Sequence, residues 1–133
     1  VEAAMIAELR DILTSPFVRG GRRVGTALDC LGLVGAIAAR RGLPPPDGWA
    51  SIRAKWLRGE LDVASGFPDG WERQAPGTTL RDGDVLVYVR GGVPGCAIVD
   101  SGHVCTTSPD TGGYACPLHR WSLPPSEVWR FVR

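Results

Sequence analysis

SPFVRGGRRVGTALDCLGLVGAIAARRGL, residues 15–43, decides how this chain folds. Cys30 opens an apolar run behind a loop rich in Gly and Arg. Thr26 or Asp29 can cap a helix that begins at Cys30 and runs to about Arg41. The run is apolar nearly all round until Arg40, which predicts a helix buried in the middle of the domain. Cys30, Leu33, Val34, Ile37 and Ala38 share one face, and Gly32, Gly35, Ala36 and Ala39 form a second face of small residues. Each mid-helix glycine costs about 1 kcal/mol against alanine, so the pair implies something packed very close to the backbone. Arg40 and Arg41 complement the C-terminal dipole, and Gly42 ends the helix. At the other terminus, partial positive charge favours thiolate, so Cys30 can be a nucleophile. It can equally be a small, inert apolar residue.

On the N-terminal side, Glu2 to Leu13 reads as a helix with Ala4, Met5, Ala7, Leu9, Ile12 and Leu13 as its apolar positions. Ser15-Pro16 stops it. On the C-terminal side, residues 44–79 form an irregular insertion. Ser51 to Leu61 could hold a short helix, Gly66 to Gly77 is loop, and Trp49, Trp56 and Trp71 read as packing anchors. From Leu80 the period changes. Asp84 to Val89 is apolar on both faces, hence a central strand. Gly91-Gly92 and Pro94 open a loop. Ala97–Asp100 and His103–Thr107 then form a hairpin around Ser101-Gly102. Shorter strands follow around Tyr114–Cys116 and Val128–Val132. The order gives an α+β class, with N-terminal helices packed on a C-terminal antiparallel sheet.

The chain has 133 residues, 44% of them hydrophobic and 22% charged, which fits one globular domain over 1–133. A net charge of +1 gives no electrostatic argument for nucleic acid. No segment reaches the roughly 18 continuous apolar residues of a spanning helix, and the acidic, amphipathic start does not read as a signal peptide. The four cysteines (Cys30, Cys96, Cys105, Cys116) contain no CxxC pair. Cys96, Cys105, Cys116, His103 and His119 cluster, and Cys116-x-x-His119 has ligand-like spacing. Without tight cysteine pairs, however, the expectation is no metal and no cofactor. Cys96 and Cys105 are diagonal in the hairpin register, about 7–8 Å apart, which disfavours a disulfide.

The segment from Ser15 to Val34 resembles the nucleophile region of the NlpC-type cell-wall cysteine peptidases, which have a papain-like fold. It is most similar to the branch found in tailed-phage and gene-transfer-agent tail clusters. The shared features are an aromatic, a Gly-Gly-Arg loop, and Asp29-Cys30-x-Gly32-Leu33-Val34 at the head of a helix. RDGDVLVYV (residues 81–89) resembles the family's Gly-Asp-Val strand. PGCAIVDSGHVCTT (residues 94–107) resembles its histidine-bearing hairpin, and Gly70-Trp71 and Trp129-Arg130 extend the match. The resemblance implies a papain-like NlpC-type domain, a phage-like tail-tip location after synthesis in a bacterial cytoplasm, and a tail hub and neighbouring tip proteins as partners. Peptidoglycan is the substrate that this family hydrolyses.

Carried over by position, the nucleophile is Cys30, but the base position is Gly95, the position that orients the base is Thr106, and the oxyanion tyrosine position is Phe17. Without an imidazole the thiol lacks a general base worth roughly 10²–10⁴ in rate. In the expected register Gly95, Ala97, Val99, Val104 and Thr106 line one sheet face. His103 falls on the other, paired with Asp100 or solvated. His119 lies beyond the hairpin on a Pro-rich stretch. The expectation is therefore a catalytically degenerate, structural tail-tip component. The alternative is an active cysteine peptidase cleaving peptidoglycan stem peptides, with His119 or a partner's histidine as base.

Overall fold

The structure is a computed structural model that describes residues 7–46, 58, 67–90 and 93–132. Helix α1 (Arg10–Leu13) is followed by a small hairpin of β1 (Arg22–Arg23) and β2 (Ala27–Leu28), and then by helix α2 (Cys30–Arg40). The remaining strands are β3 (Trp71–Arg73), β4 (Val85–Arg90), β5 (Val93–Asp100), β6 (His103–Ser108), β7 (Gly112–Pro117) and β8 (Glu127–Phe131). They form one antiparallel sheet in the order β3-β8-β4-β5-β6-β7. The class is α+β. No described helix is long and apolar enough to cross a membrane.

Helix α2 forms where its caps put it. The Asp29 carboxylate accepts from the Gly32 amide, which satisfies a donor the helix leaves open. At the other end Gly42 takes φ +75°, with Gly42 N–H on Ala39 O and Leu43 N–H on Ala38 O. That is a Schellman closure, and a β-carbon at residue 42 would oppose it. The small-residue face works at one of its two glycines. A β-carbon on Gly32 would strike the Gly21 carbonyl, whereas one on Gly35 would meet only Pro45 at 3.8 Å. Arg40 clamps α2 to α1 through a bidentate pair with Asp11 at 2.6 and 2.7 Å.

Both sheet faces are covered. On one, α1 and α2 bring Ile12, Leu33, Val34 and Ile37 against Val85, Val87, Cys96, Ile98 and Cys105. On the other, Leu86, Tyr88, Ala97, Val99, Val104 and Val128 lie under Leu80, Leu118, Trp121 and Leu123. This double burial explains the unbroken apolar run of β4, which is flanked by β8 and β5. The hairpin register Asp100↔His103, Val99↔Val104, Ile98↔Cys105 agrees with the sequence reading. Ser101 (φ 53°) and Gly102 (φ 72°) supply the left-handed turn.

Three expectations need correction. Part of the stretch 66–77 is a strand, not a loop: Trp71–Arg73 pairs with β8, driven by burial of Trp71 rather than by alternation. Trp71 is an anchor, its Nε1–H donating to Pro44 O at 2.8 Å, and Phe67 stacks on Trp129 at 4.4 Å. Pro94 does not sit in a loop but within β5, opposite Val89. Proline is tolerated there because β6 pairs only with Ile98–Asp100, so no ladder bond is needed on that side. Within the Gly- and Arg-rich loop, β1 pairs with β2, while Gly20 and Gly21 stay outside any strand. The expected helix over 51–61, Trp49, Trp56 and the start of the first helix lie outside the described residues.

Candidate functional site

Asp29 fixes the loop that delivers Cys30. Its buried carboxylate collects Gly20 N–H at 3.0 Å, Gly32 N–H at 2.8 Å and the Arg22 guanidinium at 2.6 Å. One side chain thus ties the β1–β2 hairpin to the helix start. Phe17 bridges to Leu28 beside it, and Val18 N–H donates to Leu28 O. Replacing Asp29 with alanine removes the cap and strands the buried Gly32 amide. We expect a loss of about 2–3 kcal/mol in urea unfolding, with the m-value unchanged.

Cys30 is half-buried and packs against the larger core. Gly95, carried over as the base position, is half-buried in β5 directly opposite Tyr88. A β-carbon there would lie 2.7 Å from Tyr88 Cε2, so a side chain at 95 requires the Tyr88 ring to move. Thr106, carried over as the position that orients the base, is engaged elsewhere. Its hydroxyl donates to Cys96 O at 2.7 Å and lies 3.2 Å from the Tyr88 hydroxyl, which itself reaches Cys96 O at 3.4 Å. Burial pushes the Tyr88 phenol well above its ordinary value. The Thr106 bond works the other way, and the Cys96, Cys30 and Tyr114 groups add to the rise. Gly95 and Thr106, two of the positions carried over, therefore meet at Tyr88, whereas Cys30 packs with the core on the α2 face. Alternation sets Gly95 and Tyr88 on the sheet face away from α2.

Neither histidine stands at this end. Arg41, just past the end of α2, holds Asp100 with two bonds of 2.7 and 2.9 Å, and Asp100 is the register partner of His103. Helix α2 rises about 15 Å between Cys30 and that point. His103 is buried, not solvated, and its Nδ1 lies 2.8 Å from the Ser101 carbonyl, which makes Nδ1 the protonated nitrogen. The expected pairing with Asp100 holds for the backbone register, while the Asp100 carboxylate goes to Arg41 and Ser101. His119 is exposed on a 3₁₀ turn (Leu118–Arg120) whose first amide donates to Gly102 O, so it shares the hairpin-turn end.

Among the described residues no group of three His, Cys, Asp or Glu could hold a metal ion. Cys105 lies opposite Ile98 and is buried, and burial pushes its thiol up to about 12, with the Asp100 and Asp82 charges adding and Arg41 opposing. A folded-state value above the unfolded one gives stability that is complete below the unfolded thiol's pKa and is lost as pH rises through the folded value. Stability should therefore fall between about pH 9 and about pH 12, by up to about 1.4 kcal/mol per pH unit for this group. The fall should flatten in Cys105→Val, as read by urea unfolding across that range.

Sequence reasoning missed Tyr88. The available signal was Gly95 itself, because a glycine inside a strand often marks a close approach. No protein-family model matches the chain, and no curated protein matches it.

Proposed function

We propose that this chain is a structural component of a phage-like tail tip, built on a papain-like NlpC-type fold whose catalytic base has been lost. One observation carries the catalytic half of this reading: the ring of Tyr88 occupies the space a side chain at Gly95 would need. Thr106 is bonded to Tyr88 and to Cys96 O, where the family would have it orient a base. Phe17 brings no hydroxyl to an oxyanion, and both histidines lie at the far end of α2. The thiol of Cys30 keeps the helix terminus that favours thiolate but has no imidazole to accept its proton. The tail-tip setting and its partners, the hub and neighbouring tip proteins, are supported by the resemblance around Asp29-Cys30-x-Gly32-Leu33-Val34. In the alternative, a peptidase acting on peptidoglycan stem peptides, a partner chain supplies the base.

The test is made on assembled particles. Omitting the chain should abolish tail completion or DNA delivery, whereas Cys30→Ser particles should assemble and deliver as wild type does. Particles that assemble normally with Cys30→Ser but fail to deliver would favour the peptidase.

A further inference from the structure

The two ends of α2 carry opposite charge. At the Cys30 end, the β1–β2 hairpin and its flanks hold Arg19, Arg22 and Arg23 against a single carboxylate, Asp29, which takes Arg22. Arg19 and Arg23 are exposed and make no ion pair among the described residues. Val18 (45% exposed) and Val24 (37% exposed) stand beside them, two of the four large apolar side chains left exposed among the described residues. The Gly25 amide donates to Ser15 Oγ at 2.7 Å, which pins the hairpin tip to the chain after α1.

At the Arg41 end, a groove of about 410 Å³ is lined by Glu8, Arg41, Leu43, Asp82, Asp100 and Ser101. Three carboxylates face one guanidinium there. Arg41 spends its donors on Asp100 and, at 3.1 Å, on Glu8. Asp82 accepts only the Gly102 amide, at 3.0 Å, and has no cation among the described residues. Among the described residues, the hairpin carries two surplus positive charges and the groove two surplus negative ones.

We propose that the β1–β2 hairpin of one molecule docks in the Glu8–Asp82–Asp100 groove of a second copy, so that the chain associates head to tail. Arginine suits this contact because its planar fork meets carboxylates two bonds at a time, and Leu43 gives the valines an apolar neighbour. Nucleic acid is the poorer occupant of the hairpin. Two free arginines fall short of the roughly 6–10 phosphate contacts that carry salt-sensitive binding, and the chain as a whole is only +1. Because the two surfaces differ and lie at opposite ends, the contact is heterologous and propagates to a ring or an open filament. The inference does not depend on whether Cys30 is catalytic.

Sedimentation velocity of the purified chain tests it. In about 0.01 M salt, the weight-average mass should climb above 14.2 kDa between micromolar and millimolar protein. In about 1 M salt, where the screening length shrinks roughly tenfold, it should return to the monomer. Arg19→Glu/Arg23→Glu and Glu8→Lys/Asp82→Lys should each stay monomeric. Mixing the two should restore association, because the intact hairpin of the second meets the intact groove of the first and the two altered surfaces form a reversed pair. Circular dichroism checks that each variant is folded. A wild-type chain that stays monomeric at millimolar concentration and low salt overturns the proposal and leaves the hairpin to a different acidic partner. Association of Arg19→Glu/Arg23→Glu equal to wild type overturns it as well.

Discussion

Gly95→His is expected to give no cysteine-dependent hydrolysis of a stem peptide, alone or together with Tyr88→Leu. Residue 95 faces away from α2, whereas Cys30 opens α2 and packs with the core on the other side of the sheet. A histidine at 95 is also crowded: its β-carbon would lie 2.7 Å from the Tyr88 ring, which Trp121 holds edge-on at 5.8 Å and Thr106 at 3.2 Å. Leucine at 88 removes the aromatic plane and keeps apolar filling in the smaller core, so the double variant separates the crowding from the geometry. A positioned general base is worth roughly 10²–10⁴ in rate. A gain of that size in the folded double variant, abolished by Cys30→Ser, would show that a base at 95 does reach the thiol.

Arg130→Met is expected to cost about 3–5 kcal/mol, the largest stability effect of any single exchange considered. Asp84 is fully buried and takes two bonds from Arg130, both 2.8 Å, and one from the Arg81 amide, also 2.8 Å. Removing the guanidinium leaves a buried carboxylate with only a backbone donor. The double exchange Asp84→Leu/Arg130→Met should recover most of the loss, because replacing both members of a buried pair with apolar groups is often neutral. Urea unfolding reads both. A loss below about 1 kcal/mol for Arg130→Met would show that the pair contributes little.

That pair also shows how far the sequence could be read. Asp84 and Arg130 stood in two stretches quoted for the same resemblance, yet nothing in their spacing said that they meet, because β8 returns to pair with β4 across most of the sheet's chain length. Local signals fared better. Asp29 before an apolar run, Gly42 after it, and Ser101-Gly102 between β-branched segments each specify a backbone geometry within a few residues, and each was recovered. Strand β3 was missed for the opposite reason: Trp-Glu-Arg has no period, and only the pocket made by Pro44, Phe67 and Phe131 makes it a strand. From sequence, Tyr88 reads as one more apolar residue of a central strand. Its role depends on the β4–β5 register, which sets it over Gly95, and a run that is apolar on both faces does not encode register.

In the proposed function, Cys30 occupies a nucleophile's position without a base. Incubating peptidoglycan and a stem peptide with purified wild-type chain and with Cys30→Ser tests this most directly, with released peptide measured by mass spectrometry. Equal background release from both is the expected result. Release by wild type that disappears in Cys30→Ser would contradict it.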